Sequence, residues 1–542
     1  MARLTGGQAV VKSLINNGVD TVFGLPGIQL DHLFNALYDD SNSIRVLNAR
    51  HEQGTAYMAF GYAQASGRVG TFAVVPGPGL LNTTAALATA YGCNSPVLAL
   101  TGQIPAPAID QGYGLLHEIP DQLGLVSHLT KDAMRIGHAS SAPQAVNAAF
   151  QSLLSGVRGP VEVEMALDLL AETAEVSLLD GAAPLPTPPV DTDRIDAAAK
   201  LLGAARNPMI VCGGGALDAS AEVLRVAQML QAPVVTGRLG RGVVSDAHYL
   251  SQPQPMGHRL WKDVDVVLAV GTRFQQYRQV WGVDDDIKVV RIDLNPTQMH
   301  RISTPDVGLV ADAADALTAL ADALESTNRK RESREAELTA LNQAVRAEIE
   351  QKLAPQVAFI KAIRAALPDD GIYCDELTQV SYVARSMLPV YEPRTFIASG
   401  YQGTLGSGYP TALGAKVAMP DRPVLSVSGD GGFMFNVQEL SSAAQHGINA
   451  VAVVFNDGAY GNVRRMQEDL HGGRVIATGL KNPDFVKLAE SFDVAGVRAD
   501  SPAALQRALE EAFQRTGPTL IDVPIGKVPE PFGVSMPMAR GR

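Results

Sequence analysis

Two aspartates stand in settings that suit a divalent cation holding a diphosphate. Asp430 lies in Gly429-Asp-Gly-Gly432, one residue beyond the apolar run 424–427. Asp457 lies in Asn456-Asp-Gly-Ala-Tyr-Gly461, directly after the apolar run 450–455. Short β-branched runs that end in polar, glycine-containing turns read as buried parallel strands. Between them the sequence predicts a helix, opened by a capping box of Asn436 and Glu439 and stopped by Gly447. A right-handed βαβ crossover brings both aspartates to the carboxyl ends of parallel strands, where open α/β sheets bind ligands. Mg²⁺ fits there, because it is hard and is held by one or two carboxylates together with phosphate oxygens and water. Gly-Asp-Gly by itself is ordinarily a turn. The second aspartate and the Tyr460-Gly461 pair that follows give it chemical weight.

The elements that must position this pair belong to a long chain. Its 542 residues exceed one hydrophobic core and predict about three or four domains. Hydrophobic content of 46% with 51 glycines reads as a well-buried, turn-rich α/β protein. A net charge of −12 argues against nucleic acid or an anionic membrane as the main partner. Cys93, Cys212 and Cys374 are far apart, without metal-binding or redox spacing, and are expected to be buried free thiols in a reducing cytosol. The first twenty residues lack a signal-peptide core and no apolar run is long enough to span a bilayer, so a cytoplasmic protein is expected.

Residues 1–175 alternate helical and strand patterns, and their second unit (strand 71–75, turn 76–79, helix 81–91, strand 97–100) has the same order as 423–461. That parallel suggests a duplicated fold. The proline-rich stretch 181–190 reads as a linker. Residues 191–325 are again doubly wound in pattern. Their glycine turn at Gly213, Gly214 and Gly215 lacks the dinucleotide spacing and is read as close packing. Residues 326–352, dense in charge, read as a solvated connecting helix, and 355–530 form the last domain. The fold expected is α/β, three doubly wound domains with mainly parallel sheets. No zinc-protease helix, P-loop or nucleophile elbow occurs.

Further motifs recur in one order along the chain: Arg50-His-Glu-Gln-Gly54, Pro76-Gly-Pro-Gly79, Thr101-Gly-Gln103, the glycine-rich stretch 400–415, and 429–461. Together they resemble the thiamine-diphosphate-dependent enzymes of the acetolactate synthase (large subunit) group over nearly the whole chain. The resemblance implies thiamine diphosphate and Mg²⁺ as cofactors and a 2-oxo acid as substrate. It implies that Glu52 hydrogen-bonds the pyrimidine ring, and that Leu405 is the bulky residue wedged between the two rings. Gly403 would offer its carbonyl to the amino group, with Gly429, Gly431, Gly432, Tyr460 and Gln379 around the diphosphate. Asp430, Asp457 and the Ala459 carbonyl would hold the metal; the group often has Asn where this chain has Asp457. Gln103 and His117 fall on segments along the substrate funnel and would be the polar groups that meet the substrate. Glu52 lies in the first domain and Asp430 in the last, so the resemblance implies a homodimer or homotetramer with sites at the subunit interface. A Glu52 carboxyl in a water-poor pocket would have a raised pKa suited to sharing a proton. Its plain structural reading is a helix N-terminal carboxylate. For Leu405 that reading is a core leucine, against which the glycines at 403 and 406 suggest close backbone approach.

One segment departs from the group. Where it has Gly-x-Arg-Phe-Asp-Asp-Arg, this chain has Gly271-Thr-Arg-Phe-Gln275-Gln276-Tyr277, with Arg278 one place further on. An arginine orienting the carboxylate of a second acid is what carboligation needs. Overall similarity favours carboligation. The alternatives are a 2-oxo-acid decarboxylase or related C–C lyase, and a catalytically silent cofactor-binding paralogue. FAD, which several of these enzymes carry in the middle domain, is possible here but not expected to be tightly bound.

Overall fold

Apolar runs too short for helices, bounded by glycine and proline, become central strands. In the computed structural model, which describes residues 1–282 and 286–538, they assemble into three all-parallel sheets flanked by helices. The N-terminal sheet runs Arg45–Asn48, Thr21–Gly24, Gly70–Val74, Val97–Gln103, Val161–Ala166, Asp132–Ile136. The C-terminal sheet runs Phe396–Ala398, Ile372–Asp375, Val424–Gly429, Val451–Asn456, Thr519–Pro524, Ala495–Arg498. Numbered within each sheet, both follow the order second, first, third, fourth, sixth, fifth. The repeated pattern in the sequence is thus a repeated topology. The central sheet has five strands, with Pro208–Cys212 and Val266–Val270 at its middle. A two-stranded antiparallel ribbon pairs Ala2–Thr5 with Thr173–Val176. Among the described residues no helix is long and apolar enough to cross a membrane.

Equivalent helices of the two six-stranded domains, Glu52–Ser66 and Gly408–Ala418, pack against each other within the chain. They meet backbone to backbone: a Cβ on Gly61 would stand 2.0 Å from the Thr411 carbonyl oxygen, and one on Gly414 would stand 1.8 Å from that of Met58. Around this crossing Tyr57, Phe60, Tyr409 and Leu413 join one core shared by both domains. Full burial of such side chains contributes about 1.5–3 kcal/mol each.

Three local expectations are corrected. The capping box does not form, because the helix starts at Glu439 with Gln438 as an N-cap without a side-chain bond. Glu439 is instead drawn to backbone N–H groups of another domain, as described below. Its C-terminal stop is as read, with Gly447 left-handed at φ +60°. Within the charged segment 326–352 the first two residues end the helix Ala313–Thr327 and the connecting helix itself covers Glu335–Lys352, where it buries Leu338, Val345 and Ile349 rather than being solvated all round. All three cysteines are free: Cys212 and Cys374 are buried, whereas Cys93 is half-buried rather than buried. Desolvation pushes every thiol up, Cys93 and Cys212 to about 12, which leaves them poor nucleophiles.

Candidate active site

The C-terminal sheet reverses strand order between Ile372–Asp375 and Val424–Gly429, so their carboxyl ends form a topological switch point. Asp430 follows directly on the second of these strands and is buried. Asp457, just past the neighbouring strand Val451–Asn456, is half-buried. Asp430 Oδ2 accepts hydrogen bonds from Gly458 N at 3.0 Å and Asn482 Nδ2 at 2.5 Å. Asp457 accepts from Ala459 N at 3.1 Å and Gln379 Nε2 at 3.0 Å. Burial pushes the Asp430 carboxyl above its ordinary range; the negative charge of Asp457 adds to this and the Asn482 bond opposes it. Among the described residues neither carboxylate makes an ion pair. Two adjoining acids without a counter-charge, one of them desolvated, fit a divalent cation bound by Asp430 and Asp457. The Tyr460 ring lies against Gly431, where a Cβ would stand 2.6 Å from it.

Gln379 stands beside Asp457. It is buried, with Nε2 donating to Asp457 Oδ2 and Oε1 accepting from Arg465 Nη2 at 2.5 Å. Gln103 is likewise committed: Oε1 accepts from Ile104 N, and Nε2 points to the buried Glu164 at 3.4 Å. It is buried at the end of the strand Val97–Gln103. His117 is half-buried, left-handed at φ +69°, with its Nδ1 3.1 Å from Gln29 Oε1.

Leu405 is half-buried, which a core leucine would not be, and it sits in the loop 403–407 leading into the helix Gly408–Ala418. Gly403 and Gly406 have φ of +59° and +82°, conformations that glycine adopts without penalty. The loop is held from below by Glu376, whose carboxylate accepts from Gly406 N at 2.7 Å and Gly408 N at 2.9 Å.

Glu52 opens its helix, capped by the His51 side chain, which accepts from Gln53 N. Its Oε2 accepts from Asn82 Nδ2 at 2.9 Å. In the single chain it is half-buried, so the water-poor pocket expected for it is not closed by its own subunit. The segment before it is tied to the C-terminal domain. Glu439, 0% exposed, accepts from Arg50 N and His51 N at 3.1 Å, and Asn436 Nδ2 donates to Gln53 Oε1 at 3.1 Å and to the Gly406 carbonyl at 2.7 Å. Asn482, Arg465 and Glu376 bond to the candidate site residues or the loop around them, and motif reading did not single them out; Glu439 it read only as half of a capping box. Of the first three only Glu376 carried a cue, as an acid just past an apolar strand.

The large cavity, about 790 Å³, lies elsewhere, between the central sheet and its neighbours. Gly213, Gly214, Gly215, Arg238, Asp293 and Asp312 line it, together with 271–277. The glycine turn does pack closely, since a Cβ on Gly215 would meet Gly271 at 2.8 Å. Even so, the space beside it has the size of a ligand pocket, and the altered residues 275–277 do not fill it. Tyr277 turns into an aromatic cluster, stacked on Phe274 at 5.6 Å and edge-on to Trp281 at 4.7 Å. Arg278 is half-buried in the π-helical turn Tyr277–Gly282.

Comparison with known proteins gives a consistent result. The family model described as "Thiamine pyrophosphate enzyme, C-terminal TPP binding domain" matches residues 376–523; the corresponding N-terminal TPP binding domain matches 4–125, and the central domain matches 195–320. A probable acetolactate synthase large subunit of Methanocaldococcus jannaschii is 33% identical, covering 96% of this chain and 92% of its own. A probable 2-ketoarginine decarboxylase of Pseudomonas aeruginosa is 32% identical over 96% of this chain and 94% of its own. The acetolactate synthase large subunit of Corynebacterium glutamicum is also 32% identical, over 97% and 87%.

Proposed function

Because the chain belongs to the thiamine pyrophosphate enzyme family, we propose that it decarboxylates a 2-oxo acid and joins the remaining fragment to a second carbonyl, as acetolactate synthases do. The observation that carries the reading is the uncompensated pair Asp430 and Asp457 at the switch point, with the Leu405 loop held at the same strand ends. In this reading Asp430, Asp457 and the Ala459 carbonyl hold Mg²⁺, and Gly429, Gly431 and Gly432 bring bare backbone to a diphosphate. Thiamine diphosphate, when bound, supplies the nucleophilic carbon and the electron sink that loss of CO₂ requires. Glu52 contributes a carboxyl that holds and returns a proton at the pyrimidine edge. Leu405 would supply apolar support to the bound cofactor.

Glu52 is half-buried in its own chain, which supports a homodimer or homotetramer in which a partner subunit encloses it. We place the enzyme in the cytoplasm. His117 remains the residue of choice for meeting the substrate.

A second reading, decarboxylation without ligation, is favoured by one observation: Tyr277 is buried among aromatic rings where the acetolactate synthase pattern has the arginine for the acceptor acid. Incubation with pyruvate and with larger 2-oxo acids, in the presence of thiamine diphosphate and Mg²⁺, separates the two. A 2-hydroxy-3-oxo acid product supports ligation, and aldehyde alone rejects it. Release of no CO₂ from any 2-oxo acid would favour the silent paralogue. No tightly bound flavin belongs to this reading, and an absorbance spectrum of the purified protein with a flavin band would overturn that part.

A further inference from the structure

Glu376 follows the strand Ile372–Asp375 at the switch point and has no place in the reading above. It is 2% exposed, and both of its oxygens are used. One accepts from Gly406 N at 2.7 Å, the other from Gly408 N at 2.9 Å and Ser428 Oγ at 3.0 Å. Among the described residues it makes no ion pair. A desolvated carboxylate without a counter-charge is costly, so only its hydrogen bonds hold it in place. It also touches the turn that carries Asp430. A Cβ on Gly432 would stand 1.9 Å from Glu376 Oε1 and 3.6 Å from Leu405 Cδ2, so the carboxylate and the leucine lean on the same glycine.

We propose that Glu376 is a positioning residue for the cofactor site. By gripping Gly406 N and Gly408 N it fixes the loop on the C-terminal side of Leu405 and registers that loop against the Asp430 turn, so that wedge and metal carboxylates keep one spacing. Glutamine at this position keeps the shape, but it presents an NH₂ group to one of the two backbone donors and breaks half of the grip. The inference rests on the thiamine diphosphate reading, and the test separates the two.

Wild type, Glu376→Gln, Glu376→Asp and Ser428→Ala are compared by amide hydrogen exchange without cofactor, by calorimetric titration with thiamine diphosphate and Mg²⁺, and by steady-state kinetics. For Glu376→Gln the melting profile stays cooperative, Gly406 or Gly408 loses protection, and cofactor affinity falls about 10- to 100-fold, the worth of a hydrogen bond to a charged group. Its kcat falls while KM for the 2-oxo acid stays within about twofold. Glu376→Asp keeps the charge and restores part of the protection. Ser428→Ala, which leaves both backbone bonds, stays near wild type. Unchanged protection at 406 and 408, or cofactor affinity within about twofold of wild type, overturns the proposal. If Glu376→Gln does not fold, unchanged protection in Glu376→Asp overturns it alone. A wild-type protein that fails to bind thiamine diphosphate sinks the underlying reading instead, whatever the exchange data show.

Discussion

At Glu52 the helix terminus and the proposed proton-holding role coincide. Glu52→Gln should keep the Asn82 contact and the fold but lower kcat about 10²- to 10⁴-fold, the usual worth of a general acid–base group. Cofactor affinity measured by titration should change little, and a variant at least half as active as wild type would remove Glu52 from the chemistry. Glu376 has a separate signature. Burial pushes its carboxyl up from 4.5 to about 6, against the glycine N–H groups that hold it down. Between those values the folded protein carries the extra proton, so this group's contribution to stability is full below about pH 4.5 and is lost as pH rises through 6. Relative to Glu376→Gln, wild type should lose about 2 kcal/mol of stability between pH 4.5 and 7, read from paired denaturant titrations; a difference that does not change with pH would contradict it. At this scale the sequence was legible where a residue sits in its own glycine turn, as Asp430, Asp457 and Leu405 do. It was not legible where the partner is remote. Nothing local to Gln379 or Gln103 announces Arg465 or Glu164, to which their amides reach.

Among elements, the decisive one is the crossing of Glu52–Ser66 with Gly408–Ala418, where no side-chain layer separates the backbones. Gly61→Ala places a methyl group against the Thr411 carbonyl. It should cost about 1–3 kcal/mol as overpacking, seen as a lowered denaturation midpoint, and should weaken cofactor binding although residue 61 touches no part of the proposed site. Unaltered stability would mean that the helices slide freely. The runs 71–75, 97–100, 424–427 and 450–455 each became a strand, with ends within three residues of those read, because each is apolar and stopped by a turn. The capping box was not, because Asn436 and Glu439 satisfy a local rule and yet answer to a distant need. Their side chains go to Gly406, Gln53 and the backbone of 50–51, contacts that exist only once the domains have met. Helix 335–352 shows the same bias, since charge density concealed Leu338, Val345 and Ile349 on its inner stripe.

For the whole molecule, sharing of sites between subunits has a direct assay. Glu52→Gln and Asp430→Ala should each inactivate alone. If a site takes Glu52 from one chain and Asp430 from the other, a mixed dimer has one site with both lesions and one with neither. Equal amounts refolded together should recover about a quarter of wild-type activity, and recovery of none would place each site within one chain. The paired topology was visible in the sequence as a repeated order of strand, turn and helix, whereas the cavity of the central domain was not, because empty volume leaves no motif. That cavity has a physical consequence. Trp261 and Trp281, the two tryptophans of the chain, stand 5.3 Å apart in the aromatic cluster that Tyr277 and Phe274 connect to its wall. Hydrostatic pressure acts first where voids can be eliminated, so it should compress the central domain before the close-packed helix crossing. Tryptophan emission should therefore shift at pressures that leave catalysis intact, and a ligand filling the cavity should move that shift to higher pressure.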